Sequence, residues 1–199
     1  MNNTWIGVIA AVIIIGGGLW YFGTHSSTQM AQNNNIDTSA PATQPATEEG
    51  VMVGGALMVP SRDIVDNAVL ASNVTTVVAA VKAAGLVDTL KGAGPFTVFA
   101  PDNAAFDKLP AGTVDTLLKP ENKAKLTDIL TYHVVAGRYT SADLYDGQVL
   151  TTVEGKKLTI KKTGNQIWIN GSAMIETADV ISRNGVTHVI DTVLMPPTK

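Results

Sequence analysis

Between Gly94 and Pro110 the chain packs a strand, a turn and a helix into seventeen residues, Gly-Pro-Phe-Thr-Val-Phe-Ala-Pro-Asp-Asn-Ala-Ala-Phe-Asp-Lys-Leu-Pro. No other stretch restricts the fold as tightly. Phe96, Thr97, Val98 and Phe99 are strand formers bounded by a Gly-Pro pair and by Pro101, which predicts a short buried strand. Asp102 then stands where a helix N-cap belongs, able to accept backbone N–H bonds of the next turn. Phe106 and Leu109 fall three apart on one face of the helix that follows, and Pro110 stops it.

The segments on either side obey different periods. Before the joint, Ser61-Arg62-Asp63 offers a cap, and Ile64, Val65, Ala68 and Val69 repeat at helical spacing. Residues 73–84 repeat the pattern with Val74, Val77, Val78 and Val81, and Gly85 ends it. After the joint, a short helix is predicted over 114–118. A longer one over 121–130 is entered through Pro120 and has Leu126, Ile129 and Leu130 on its apolar face. From Tyr132 onward the pattern is that of strands: 132–135, 149–153, 157–161, 166–169, 174–180 and 186–194. Glu154-Gly155 and Thr163-Gly164-Asn165 read as hairpin turns. Helices first and strands later, without regular alternation, predict an α+β domain. The two-residue period puts His188 and Ile190 on one face of the last strand and Val189 and Asp191 on the other, with Asp191 as a structural hydrogen-bond acceptor.

An apolar fraction of 45 % fits one globular core plus one hydrophobic segment. That segment is Trp5 to Phe22, eighteen residues without a charge and with aromatic residues at both ends. As a helix it would rise roughly 27 Å, close to the hydrocarbon thickness of about 30 Å. An uncleaved membrane anchor over 1–22 is expected, with a cleaved signal peptide as the alternative, since Met1-Asn2-Asn3-Thr4 lacks the usual positive charge. Residues 23–50, rich in Thr, Ser, Ala, Pro, Gln and Asn, read as a disordered linker with a reach of about 30 Å. The domain then occupies 51–199, and 51–60 is expected as an arm laid on it.

All 14 basic residues, and all but three of the 17 acidic ones, lie from Arg62 onward, so the domain is neutral. A neutral domain has no global field to attract a polyanion, which argues against nucleic acid as a partner. Lys156, Lys157, Lys161 and Lys162 form the one local exception, read as a solvated hairpin face with an acidic polysaccharide or lipid headgroup as the alternative. Cysteine is absent, which removes disulfides, thiolate metal sites and cysteine nucleophiles together. The histidines, His25, His133 and His188, show no i, i+4 helical pair of the kind zinc enzymes use. His133 and His188 lie inside apolar strand-like runs and read as core residues. Ser141 and Ser172 lack a nucleophile elbow, and Gly92-x-Gly94 is followed by Pro95 and a strand, not a phosphate-binding helix. No catalytic activity, cofactor or metal is expected.

The segment 94–110 closely resembles the first sequence motif of the fasciclin domain. The run Asn184-Gly185-Val186-Thr187-His188-Val189-Ile190-Asp191-Thr192-Val193-Leu194-Met195-Pro196-Pro197 resembles the second, and Tyr132-His133-Val134-Val135-Ala136-Gly137 resembles the family's Tyr-His element. The resemblance covers about residues 51–199. It implies a wedge of two β-sheets with helices packed alongside, in a single-domain bacterial protein that is secreted or anchored at the surface. In animal adhesion members, recognition is attributed to the Tyr-His element and to an Asp-Ile motif before the second segment. The matching positions are Tyr132 and His133, and Asp179, Val180 and Ile181 within Thr177-Ala178-Asp179-Val180-Ile181. The expected function is a non-enzymatic adhesion or interaction module, tethered through its N-terminal helix on the periplasmic or extracellular side, with a protein or polysaccharide partner. A carrier for a small apolar ligand or lipid is the alternative.

Overall fold

The structure is a computed structural model that describes residues 49–197. The expected membrane segment over 1–22 and the expected linker up to residue 48 lie outside the described residues. Among those described, no helix is long and apolar enough to cross a membrane.

The chain enters through a hairpin of β1 (Val51–Val53) and β2 (Ala56–Met58), where an arm was expected. Its two-residue turn, Gly54-Gly55, has φ of 54° and 81°, the left-handed pair that a tight hairpin of matching twist requires. The alternation buries Val53 and Met58 and leaves Met52 and Leu57 outside. Asp63 caps α1 (Ile64–Ala68) by accepting from the Asp66 N–H at 2.8 Å. The second helix, α2 (Thr75–Ala84), ends on Gly85 in the left-handed region, as its sequence predicts. One helix, α3 (Val87–Lys91), was not predicted. Its five residues bury only Leu90, too little to show a period.

The joint forms β3 (Phe96–Pro101) and α4 (Asn103–Asp107), with the Asp102 carboxylate accepting from the Ala105 N–H at 2.7 Å. Pro101 was expected to close the strand but is its last residue. Strand β4 pairs only with Phe96 to Val98, so the missing proline N–H falls where β3 has already lost one neighbour. After α5 (Thr113–Leu118) and a 3-10 turn at Pro120–Asn122 comes α6 (Lys123–Tyr132).

The remaining strands are β4 (Val134–Ala136), β5 (Val149–Thr151), β6 (Lys157–Thr163), β7 (Gln166–Ile169), β8 (Ala173–Ser182) and β9 (Gly185–Ile190). They join β3 in the order β4-β3-β9-β8-β7-β6-β5, with β3 and β9 parallel and the other neighbours antiparallel. The two ends of this ladder meet. Val135 bridges Thr152, and the Val153 N–H donates to the Val134 carbonyl at 2.7 Å. The two sheets of the expected wedge are therefore halves of one strand ladder rolled onto itself.

This rolling creates two cores that share the central strands. Inside the roll lie Phe99, Tyr132, Leu158, Ile160, Ile169 and Ile190. On the other face, Val98, Ala100, Val180 and Val189 meet Ile64, Val74, Val77, Leu126 and Leu130 from the helices. Every residue of β9 is buried, as a strand covered on both faces must be. His188 stacks on the Phe99 ring with centroids 5.6 Å apart, on the Ile190 side of the strand. The expected strand over 186–194 stops at Ile190. Asp191 turns out of the ladder, and its carboxylate accepts from the Met174 N–H at 2.8 Å and from Lys108 at 3.2 Å. Burial alone would raise the Asp191 pKa, but these hydrogen bonds outweigh it and hold the carboxyl below its usual range. Val193 and Leu194 then pack as core residues outside any strand.

His133 fastens the end of α6 to this C-terminal segment. Its Nδ1–H donates to the Ile129 carbonyl at 2.8 Å, and its Nε2 accepts from the Leu194 N–H at 2.9 Å. Burial pushes its pKa down to about 4, against a smaller upward pull from the Ile129 carbonyl. A second proton on Nε2 would face the Leu194 N–H with no acceptor between them.

Two stability measurements check this architecture. Phe99→Ala should cost about 3 to 5 kcal/mol in chemical denaturation, because the ring fills the roll and supports His188; a negligible shift in midpoint would reject that. The unfolded chain takes up the His133 proton near pH 6.5 and the folded chain only near 4, so the unfolded state binds more protons between those values. Stability is therefore complete above pH 6.5 and declines as pH falls toward 4, by on the order of 3 kcal/mol. His188 is shifted downward as well, chiefly by burial, and adds in the same direction. A flat denaturation midpoint from pH 7 to 4 would contradict the neutral buried state.

Candidate functional site

The five candidate binding residues separate in the fold. Tyr132 is the last residue of α6, where a strand was expected to open, and it is 1 % exposed. Its hydroxyl donates to the Lys157 carbonyl at 3.1 Å and accepts from Asn170 Nδ2 at 3.0 Å. His133 follows as the helix C-cap and is 3 % exposed. Neither side chain presents a surface to a partner, which corrects their assignment as contact residues. The physical reason is that the apolar face of α6 extends through them into the roll. Val180, also 3 % exposed, belongs to the core beneath the helices and is corrected likewise.

Asp179 and Ile181 are different: both are partly exposed, on either side of the buried Val180. Register shifts interrupt the β8–β9 pairing between Thr177 and Val180, and Asp179 takes φ of 60° there. Asp is among the few residues that tolerate the left-handed region. The resulting kink lets the Asp179 N–H donate to His188 Nδ1 at 3.3 Å. Its carboxylate accepts from the Ser141 N–H at 2.7 Å and, in a shorter bond, from the Ser141 hydroxyl. His188 Nε2–H donates in turn to the Tyr139 carbonyl at 2.9 Å. Thr97 completes the anchorage of this loop, accepting from the Tyr139 N–H and donating to the Gly137 carbonyl.

This constellation superficially resembles a serine, aspartate and histidine set, but its protons are committed elsewhere. The Ser141 hydroxyl gives its hydrogen to Asp179, and His188 uses both ring nitrogens on main-chain groups. The imidazole therefore does not stand beside the hydroxyl as the base of such a set does. Burial is the main cause lowering the His188 pKa, with the Tyr139 carbonyl and the Asp179 charge pulling it up. Among the described residues, no group of three or more His, Asp or Glu side chains is placed to hold a metal ion.

The kink also forms one wall of an open cleft of about 380 Å³, lined by Glu49, Gly50, Val51, Met58, Pro60, Asp179 and Ile181. One side is the entering hairpin and the other is β8. Sequence reasoning picked out Asp179 and Ile181 but not Glu49, Met58 and Pro60, which reach the site only because the hairpin packs there. The arm reading of 51–60 was the one available signal.

Comparison with known proteins gives the family and agrees with the fold. A family model for the fasciclin domain matches residues 72–196. The chain is 48 % identical over 162 residues to protein sll1483 of Synechocystis sp., covering 81 % of this chain and 89 % of that protein. It is 41 % identical over 167 residues to immunogenic protein MPB70 of Mycobacterium bovis, covering 80 % and 78 %. Cell surface glycolipoprotein MPB83 of the same species is 46 % identical over 114 residues, 57 % of this chain and 49 % of that protein, so only about half of its length is matched. Among solved structures, a FAS1 domain pair from the insect cell adhesion molecule Fasciclin I superimposes with a TM-score of 0.62 over 75 % of this chain. It covers 59 % of that pair at 19 % identity, a likeness of fold. With a family model spanning more than half its length and such relatives beside it, the chain belongs to the fasciclin-domain family.

Proposed function

We propose that this protein is an extracytoplasmic adhesion or interaction module, tethered by its N-terminal segment, that binds a protein or polysaccharide of the cell surface and catalyses no reaction. The observation that carries the proposal is the cleft at the β8 kink. There Asp179 takes the left-handed conformation at the break in the ladder and, with the partly exposed Ile181, faces the entering hairpin. A cleft open on one side, with apolar walls from Val51, Met58 and Ile181 and a carboxylate at its rim from Glu49, suits a projecting group of a partner. The buried histidines and the committed Ser141 hydroxyl support a binding role over a catalytic one. The name of MPB83 as a cell surface glycolipoprotein, and the adhesion-molecule origin of the structural neighbour, support an extracytoplasmic setting.

The carrier reading requires an apolar chamber. The apolar cavities between α1, α2 and the sheet have volumes of about 20 and 50 Å³, far below a lipid chain. The packing therefore favours adhesion.

The test compares adhesion of cells displaying the full chain with that of cells displaying Ile181→Arg or Glu49→Arg. Each substitution alters the cleft wall without entering the core. Adhesion to immobilised envelope polymers and proteins should weaken by about tenfold or more, equivalent to about 1.4 kcal/mol. Unchanged adhesion would remove the cleft from the proposal. A stoichiometric lipid in native mass spectra, with no polymer or protein bound, would replace adhesion by the carrier function.

A further inference from the structure

The four lysines between 156 and 162 are divided by the fold into two pairs. Lys156 is held by Glu154 at 2.8 Å. Lys162 donates to the main-chain carbonyls of Ser141 and Leu144, each at 3.1 Å, and so pins the loop that Asp179 also holds. Lys157 and Lys161 remain. They are exposed, share the outward face of β6, and have no ion pair or hydrogen bond from their ammonium groups among the described residues. Four residues of extended chain place their Cα atoms about 13 Å apart.

Register places an aromatic platform beside them. Trp168 of β7 pairs with Lys161, and Met174 of β8 pairs with Trp168, so all three stand in one row on the outside of the roll. The indole is half-buried, and its N–H has no partner among the described residues. Thr159 stands between the two lysines, Thr151 lies opposite Lys157, and Gln166 lies opposite Thr163. The alternate residues Leu158, Ile160, Ile167 and Ile169 point inward and are buried, which makes the outer surface a stiff, shallow plane. The outward positions of β5, β6 and β7 carry no carboxylate. Two carboxylates border the face: the exposed Asp146 accepts from the Lys162 N–H at 2.9 Å, and Glu154 pairs with Lys156.

We propose that the outward face of β5, β6 and β7 binds a linear anionic polysaccharide, with acidic groups on Lys157 and Lys161 and a sugar ring stacked on Trp168. The chemistry selects this occupant over others. Threonine hydroxyls, a glutamine amide and a free indole N–H match the hydroxyls of a sugar chain, and the flat indole matches the C–H face of its ring. A protein partner would find little of the apolar centre that protein interfaces have. A lipid surface would find little to insert, since Val149 is the one exposed large apolar side chain on the outward positions of these strands and the Trp168 indole is half-buried. This face lies toward the other end of β8 from the Asp179 cleft, so the two surfaces can fail independently.

The experiment measures binding of the full chain to alginate, to neutral dextran and to phosphatidylglycerol vesicles, at low and at physiological salt. Alginate should bind, more weakly as salt screens the lysines, and dextran should not. Lys157→Gln combined with Lys161→Gln should weaken alginate binding by about tenfold or more, as should Trp168→Ala, while Lys156→Gln leaves it unchanged. The lysine variant should melt as the parent does, because both side chains point into solvent. Absence of alginate binding, or its survival in the double lysine variant, would overturn the proposal. So would lysine-dependent vesicle binding that ignores Trp168→Ala, which would assign the face to a membrane surface.

Discussion

The structure depends on the parallel pairing of β3 with β9, two strands far apart in sequence that must be buried on both faces at once. Parallel neighbours cannot be joined by a tight turn, so everything between them, from α4 to β8, is crossover. That crossover first supplies α5 and α6 and then the antiparallel strands that roll the ladder closed. Alternation along the pair sends Phe99, His188 and Ile190 into the roll and Val98, Ala100 and Val189 toward the helices. A single strand pair thus divides the interior into two cores, and a change in its register would expose both.

Close approach at the start of this pair demands specific chemistry. A Cβ on Gly185 would lie 2.0 Å from the Phe96 carbonyl oxygen. Beside it the buried Asn184 side chain accepts from the Ile64 N–H at 3.0 Å and donates to the Leu90 and Gly92 carbonyls at 2.7 and 2.9 Å. One amide thereby satisfies the N-terminus of α1 and the chain leaving α3, ends that would otherwise be unpaired in an apolar setting. Asn67 acts similarly between Val59 and Ser182. The side chains of Asn184, His133 and His188 are spent on main-chain groups, and the Ser141 hydroxyl is held by the Asp179 carboxylate.

Local signals were legible wherever a short segment determines its own state. The Asp102 cap, the Gly85 terminus, the hairpins after β5 and β6 and the two faces of β9 follow from capping, left-handed geometry and the two-residue period. Tyr132 and His133 were misread because an apolar run of Tyr-His-Val-Val has strand propensity, and only the packing of Ile129 and Leu130 shows that the helix runs on to Tyr132 before β4 begins at Val134. Helix α3 was too short to announce itself. The Asp179 and Ile181 pair was visible as residues but not as a cleft, since its other wall comes from the hairpin more than a hundred residues earlier.

By itself the sequence determined the family, the α+β class, most element types and the structural role of the histidines, because motifs, caps and periods are written over a few neighbouring residues. Tertiary structure alone decided which of the candidate residues reach solvent and which lysines are free. Those properties depend on contacts across the rolled ladder, where register and not adjacency brings Lys161 beside Trp168 and Asp179 beside Ser141.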